Sequence, residues 1–257
     1  MKKQKLYTLG YTLFQNRNGI DIEKMFKTLQ KLNVSHLVDV RSVPYSKQFP
    51  QCNADNLKVA GKHSSIFYIH IQELGAKANQ MQDVFSKASE IFFEDIFPIA
   101  KSNRPENTEL YPDDEIVDFQ KFRKDDYLID GIKRIERAYE NNYTLALMCS
   151  EKNPIDCHRY FLVSKEIEQR FGDWIKVEHI IQNNNGKIDT ISNKDLNKQL
   201  SKIVLNKSEI KKLNILNSTI FETAKIDNYY GNTEEEKIND FCDRYWNLIH
   251  GWKKEIK

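Results

Sequence analysis

The chain predicts an α/β fold: a Rossmann-like, mostly parallel sheet of about five strands covered by helices, followed by a helical C-terminal extension. Three observations predict it. Up to residue 182, short apolar runs alternate with amphipathic stretches, the pattern of strands joined by crossover helices. Ionisable residues gather directly after several of those runs. Beyond the turn Asn183-Asn184-Asn185-Gly186 the chain becomes Lys- and Asn-rich with few strand-like segments, which sets a boundary between residues 1–182 and 183–257.

The elements follow in order. Leu6 to Gly10 is the first strand, and Asp21 caps a helix through about Leu32 whose Ile22, Met25, Phe26 and Leu29 recur at helical spacing. His36 to Val40 is the second strand. A turn-rich loop from Arg41 to Asn53, a short helix near Ala54 to Gly61 and the strand Ile66 to His70 come next. Periodicity weakens over residues 77–114, around the apolar cluster Ile91-Phe92-Phe93, and this segment reads as an insertion or lid. A helix from about Tyr127 to Tyr139 leads to the strand Tyr143 to Met148. Asn153 as cap, Pro154 at the first helical position and Asp156 in the first turn start a helix that ends before Gly172. Trp174 to Ile181 is the fifth strand. In the extension, Ile238, Phe241, Tyr245, Leu248, Ile249 and Trp252 mark a helix within Thr233 to Glu255.

Composition narrows the class. With 40% hydrophobic and 11% aromatic residues, the chain can bury a core, and neither a disordered nor a collagen-like protein fits. The 39 basic and 37 acidic side chains nearly balance at +2, so bulk charge announces no nucleic-acid partner. The basic stretches Lys198 to Lys212 and Trp252-Lys253-Lys254 could track a nucleic-acid backbone or be solvated helix faces. No secretory signal precedes the four cysteines, Cys52, Cys149, Cys157 and Cys242, which fits reduced thiols in a cytoplasmic protein. No run approaches the roughly 18 apolar residues of a membrane span.

In open α/β sheets the ligand crevice lies at the C-terminal strand ends. There this chain places Gly10-Tyr11-Thr12, Asp39-Val40-Arg41-Ser42 with Ser46 close behind, and Cys149-Ser150-Glu151, whose loop feeds Cys157-His158-Arg159 into the next helix. Asp39 and Arg41 project to one side of their strand end, either as an acid and an anion clamp or as a structural ion pair. Glu151, in the loop after a buried strand, has no packing value and suits a nucleophile or general acid/base. Asp39 and Glu151 could converge as a carboxylate pair of the kind used in glycosyl transfer. A phosphatase- or rhodanese-type loop would need arginine six residues after Cys149, where the chain has Ile155. A zinc site from Cys149, Cys157 and His158 lacks a Cys-x-x-Cys pair and a clear fourth ligand, so neither metal nor cofactor is predicted. The loop Tyr45 to Gln51 mixes cations, hydroxyls and aromatics that suit a phosphate-bearing ligand or an unstacked base, or simply form a polar loop.

Tyr7-Thr8-Leu9-Gly10-Tyr11, Val38 through Ser46, Glu73-Leu74-Gly75, and Ala146 through Glu151 leading to Cys157-His158-Arg159 together resemble the DUF488 family, over roughly residues 5 to 182. The resemblance implies a compact Rossmann-like domain with its polar motifs gathered at one sheet edge. It supplies no reaction, since the family's name records an unknown function. Family members commonly carry a histidine where this chain has Tyr11 and an aromatic where it has Cys52.

The leading expectation is a hydrolase or transferase acting on a nucleotide, nucleoside or nucleic-acid component. Its catalytic candidates are Glu151, Asp39, His158 and Cys149. The substrate-binding candidates are Gly10, Tyr11, Thr12, Arg41, Ser42, Ser46, Cys157 and Arg159, with Arg41 and Arg159 holding an anion. One alternative is a module that binds nucleic acid or another ligand without transforming it, and another is redox or sulfur chemistry through Cys149.

Overall fold

The computed structural model describes residues 3–77, 83–91 and 111–205, together with positions 232, 233, 236, 240, 243 and 247. Most of the 77–114 segment, the 233–255 helix and the basic 252–254 stretch lie outside the described residues. The chain divides into two compact units, residues 1–77 with 126–193 and residues 78–125 with 194–257.

Strand β1 (Gln4–Gly10) leads through a 3-10 turn, Tyr11–Phe14, and a ribbon of β2 (Gln15–Asn16) and β3 (Gly19–Ile20) to helix α1 (Ile22–Lys31). The Asp21 carboxylate accepts the Lys24 amide at 2.9 Å, so the cap read from the sequence is formed. Strand β4 (His36–Asp39), helix α2 (Ala54–His63) and strand β5 (Phe67–His70) complete the first half. The second unit contributes β6 (Phe85–Lys87), α3 (Ala88–Ile91), β7 (Glu115–Val117) and α4 (Phe119–Phe122). The chain returns with α5 (Asp126–Glu140), β8 (Leu145–Cys149), α6 (Lys165–Phe171), β9 (Ile175–Gln182) and β10 (Ile188–Ser192), and α7 (Asn193–Leu205) follows.

The fold is α/β. Its six-stranded sheet runs β10-β9-β1-β8-β4-β5, with every pairing parallel except β9 with β10. The sixth strand, beyond the five read from the sequence, arises because Asn183 to Gly186 forms a hairpin turn. There Asn183 donates to Lys187 O at 2.9 Å, and Gly186 takes φ +74°, a backbone region that favours glycine.

From β1 the chain steps outward to β4 and β5, then comes back to β8 and crosses to β9. Right-handed crossovers therefore set α1 and α2 on one face and α5 and α6 on the other. The first face is packed by Met25, Phe26, Leu29 and Leu57 against Leu9, Leu37, Ala146 and Met148, all buried. On the second, Tyr139 meets Trp174 edge-on, and its hydroxyl donates to Lys5 O at 2.9 Å. The connections reverse direction between the neighbours β1 and β8, which makes their C-terminal ends the topological switch point of the sheet.

The segment expected as one helix from Asn153 is broken into three pieces. A 3-10 turn spans Pro154–Asp156, a π-helical turn spans Arg159–Ser164, and only Lys165–Phe171 is α-helical. Cys157 between them is extended, at φ −133° and ψ 139°, which ends the first turn. Asn153 makes no side-chain cap bond there. The Ser164 hydroxyl donates to Arg159 O at 2.6 Å, five residues back across the wider π turn.

In the second unit, β6 pairs antiparallel with β7, and the Asp118 carboxylate caps α4 by accepting the Gln120 and Lys121 amides. Arg123 and Asp243 form an ion pair at 2.6 Å, and the Phe119 amide donates to Asn247 Oδ1 at 3.0 Å. Among the described residues, no helix is long and apolar enough to cross a membrane.

Candidate functional site

The ends of β1 and β8 are joined more closely than any side chain would allow. A Cβ on Gly10 would lie 1.6 Å from the Glu151 carbonyl oxygen, so only glycine lets the loop after β8 settle on β1. The Thr12 hydroxyl donates to Ser150 O at 2.5 Å, and the Thr12 amide reaches the same oxygen at 3.2 Å. From beneath, the fully buried Arg159 donates to Glu151 O at 2.7 Å and to Lys152 O at 3.2 Å. Gly10, Thr12 and Arg159 thus shape the loop that presents Glu151.

Side chains from that loop and from the start of the following turn meet in one cluster. The Cys149 thiol donates to Glu151 Oε2 at 3.0 Å, and the Ser150 hydroxyl donates to Glu151 Oε1 at 2.7 Å. Burial works to raise the Glu151 carboxyl, but hydrogen bonds from Cys149, Cys157 and Ser150 outweigh it and hold the group at about 2. His158 Nε2 lies 3.0 Å from Val40 O. A carbonyl can only accept, so Nε2 carries the proton there. Nδ1 then faces the two sulfurs, 3.8 Å from Cys149 Sγ and 4.0 Å from Cys157 Sγ. Burial would lower the imidazole, but the Cys157 sulfur beside it, the Glu151 carboxylate and the Val40 carbonyl raise it. Burial pushes the Cys157 thiol well up. All three cysteines among the described residues are free thiols.

Asp39 and Arg41 form a second network. Asp39 is fully buried and Arg41 nearly so. Arg41 Nη2 reaches Asp39 Oδ2 at 2.6 Å and Nε reaches Oδ1 at 2.8 Å, while the Arg41 amide adds a third bond to Oδ1. The Tyr68 hydroxyl donates to Asp39 Oδ2 at 2.6 Å, and Arg41 Nη2 also reaches Cys52 O at 2.8 Å. The guanidinium lies 5.3 Å from the Tyr11 ring centre, the contact that places Tyr11 in this network. Burial alone would lower the Arg41 guanidinium, but the Asp39 carboxylate raises it, so the cation is permanent.

The two carboxylates therefore occupy separate networks. Although β4 and β8 are neighbours, with Asp39 opposite Met148, the pleat sends Asp39 to the α1/α2 face with Leu37 and sends Cys149 to the opposite face. Glu151 follows Cys149. Ser42 lies against Gly75, where a Cβ would come 2.6 Å from the Ser42 Cα. Ser46 folds its own loop, accepting the Phe49 amide at 3.0 Å while its amide donates to Asn53 Oδ1 at 2.6 Å.

Sequence reading passed over Tyr68, whose phenol completes the Asp39 shell, because only the β4–β5 register brings it there. It also passed over a buried chain in which the Thr8 hydroxyl meets His179 Nδ1 at 2.7 Å and His179 Nε2 meets Asn193 Oδ1 at 2.6 Å. Asn193 Nδ2 then donates to Glu168 Oε2 at 2.8 Å. Threonine and histidine inside otherwise apolar strands were the available signal.

Among known proteins, the chain matches the family model described as "Domain of unknown function DUF488" over residues 21–165, more than half of its length. No curated protein and no solved structure matches.

Proposed function

Starting from a chain that belongs to the DUF488 family, residues 21–165 of which the family model covers, we propose a hydrolase or transferase acting on a nucleotide, nucleoside or nucleic-acid component, with Glu151 as its nucleophile or general base. One observation carries the reading. Glu151 keeps an exposed surface at the end of a central strand while its carboxylate oxygens are oriented by Cys149 and Ser150. Such a carboxylate, fixed in direction and open on one side, suits attack on a substrate or removal of a proton from an attacking hydroxyl. Its place at the switch point favours a ligand spanning the β1 and β8 loops, as nucleotides do in doubly wound sheets. His158, with Nε2 on Val40 O and Nδ1 turned to the same thiol, fixes the cluster that orients Glu151. Asp39 acts here by holding Arg41, and Arg159 by holding the loop.

The test is product formation by the purified full chain with nucleosides, nucleotides and single- and double-stranded oligonucleotides, at two salt concentrations. Glu151→Gln is expected to lose about 10²–10⁴ in turnover while keeping the wild-type circular dichroism. A fully active Glu151→Gln removes this residue from the mechanism, and salt-sensitive binding without product in the wild type replaces catalysis with recognition.

A further inference from the structure

We infer that Cys149, Cys157 and His158 form a three-ligand site for a thiophilic divalent cation, zinc(II) being the best fit, with Glu151 beside one of the ligands. Their Sγ, Sγ and Nδ1 atoms all lie within 4.8 Å of one another. A tetrahedral zinc ion with bonds of about 2.3 Å to sulfur and about 2.0 Å to nitrogen needs sulfur–nitrogen edges of about 3.5 Å. The edges here are 3.8 Å from Cys149 and 4.0 Å from Cys157. Two of the triangle's three edges are thus close to those of the coordination tetrahedron, and the sulfur–sulfur edge is within 4.8 Å.

A second observation points the same way. Zinc-bound histidines hold their remote ring nitrogen on an acceptor, which orients the ring and leaves the other lone pair for the metal. His158 has this arrangement, with Nε2 donating to Val40 O at 3.0 Å and Nδ1 turned to the sulfurs. Metal is absent from the sequence expectation because Cys149 and Cys157 are not Cys-x-x-Cys spaced and no clear fourth ligand accompanies them. The extended backbone at Cys157 and the turns around it provide the approach that helical spacing would not.

A three-ligand site with an open position is the catalytic form of zinc, and structural zinc takes four protein ligands. Glu151 Oε2 lies 3.0 Å from Cys149 Sγ, one corner of the triangle. Two cysteines and a histidine with a nearby carboxylate that is not a ligand is a donor set used by zinc enzymes that activate water for attack on a nucleobase. This adds a metal to the hydrolytic reading: with the ion bound Cys149 is a thiolate, its proton is released, and Ser150 remains as the donor that orients Glu151. The assignment itself stands on the ligand triangle and the His158 orientation and is read without turnover.

The experiment is titration of the reduced, chelator-treated full chain with cobalt(II) and then zinc(II). The expected result is one equivalent bound, with thiolate-to-cobalt charge-transfer absorption that zinc displaces. Cys149→Ser and Cys157→Ser should each weaken binding by more than about 100-fold, whereas Glu151→Gln and Cys52→Ala should keep the stoichiometry. Circular dichroism checks that each variant folds. If the cysteine variants do not, zinc protection of the wild type against alkylation, mapped by mass spectrometry, should fall on Cys149 and Cys157 and spare Cys52. Absence of the charge-transfer band, its survival in a folded Cys157→Ser, its loss in Glu151→Gln, or protection mapping elsewhere overturns the assignment.

Discussion

Arg159, with no exposed surface, holds the Glu151 carbonyl at 2.7 Å, so the loop that presents Glu151 is positioned by a cation eight places later in the chain. Arg159→Met leaves the Glu151 and Lys152 carbonyls without these donors, at a cost of about 1–3 kcal/mol. Urea denaturation should show that loss, and turnover should fall further than the unfolded fraction explains. A variant as active as wild type would show that the loop holds its shape without the guanidinium.

Asp39→Asn is expected to destabilise the fold by about 3–5 kcal/mol, because it strands the buried Arg41 cation. Removing both charges in Asp39→Asn/Arg41→Met should recover part of that loss. Chemical denaturation of the four proteins of this cycle measures the coupling, and additive losses would contradict the bidentate geometry.

Gly10→Ala directs a methyl group at a backbone oxygen that would lie 1.6 Å away. The loop after β8 must shift, with a stability loss of about 1–3 kcal/mol. A thermal melt reads the loss. The Thr12 to Ser150 bonds should break with it, and unchanged backbone amide shifts at Ser150 and Glu151 would refute the close approach.

His179 should make the protein acid-sensitive. Burial, the largest influence, and the nearby Arg159 charge lower its imidazole to about 3, although the Asn193 hydrogen bond opposes this. Above the unfolded value of about 6.5, both states hold the ring neutral. As pH falls from there towards 3, the unfolded chain takes up a proton that the folded chain refuses, and stability drops by up to about 1.4 kcal/mol per pH unit. Glu168, raised by burial, acts in the opposite direction at the acid end. Comparison with His179→Gln isolates the ring: the difference in unfolding free energy between the two proteins should shift towards the variant as pH falls through this window. A pH-independent difference would mean that the ring takes up its proton alike in the folded and the unfolded chain.

Much of the chemistry was visible in one dimension. The Asp21 cap and the apolar spacing of α1 specify that helix locally, since both depend on residues within a few positions of each other. The helix read from Asn153 failed for the opposite reason. Its local cap and proline signals are satisfied only by a short 3-10 turn, after which Arg159 is drawn into the fold by carbonyls of the preceding loop. The Asn183 to Gly186 turn was legible as a turn, but which strand followed it was not, because a β-strand has no stability until it finds an edge to pair with.

The sequence by itself determined the alternation of strands and helices, the family, and the polar residues that end the strands, because each depends on periodicity or residue type along the chain. Tertiary structure alone decided how those residues group. Neighbouring strands send successive side chains to opposite faces, so Asp39 joins Arg41 and Tyr68 on one side of the sheet while Glu151 joins Cys149, Ser150 and His158 on the other. Strand order and pleat phase are set by long-range hydrogen bonds and burial, which no local pattern encodes.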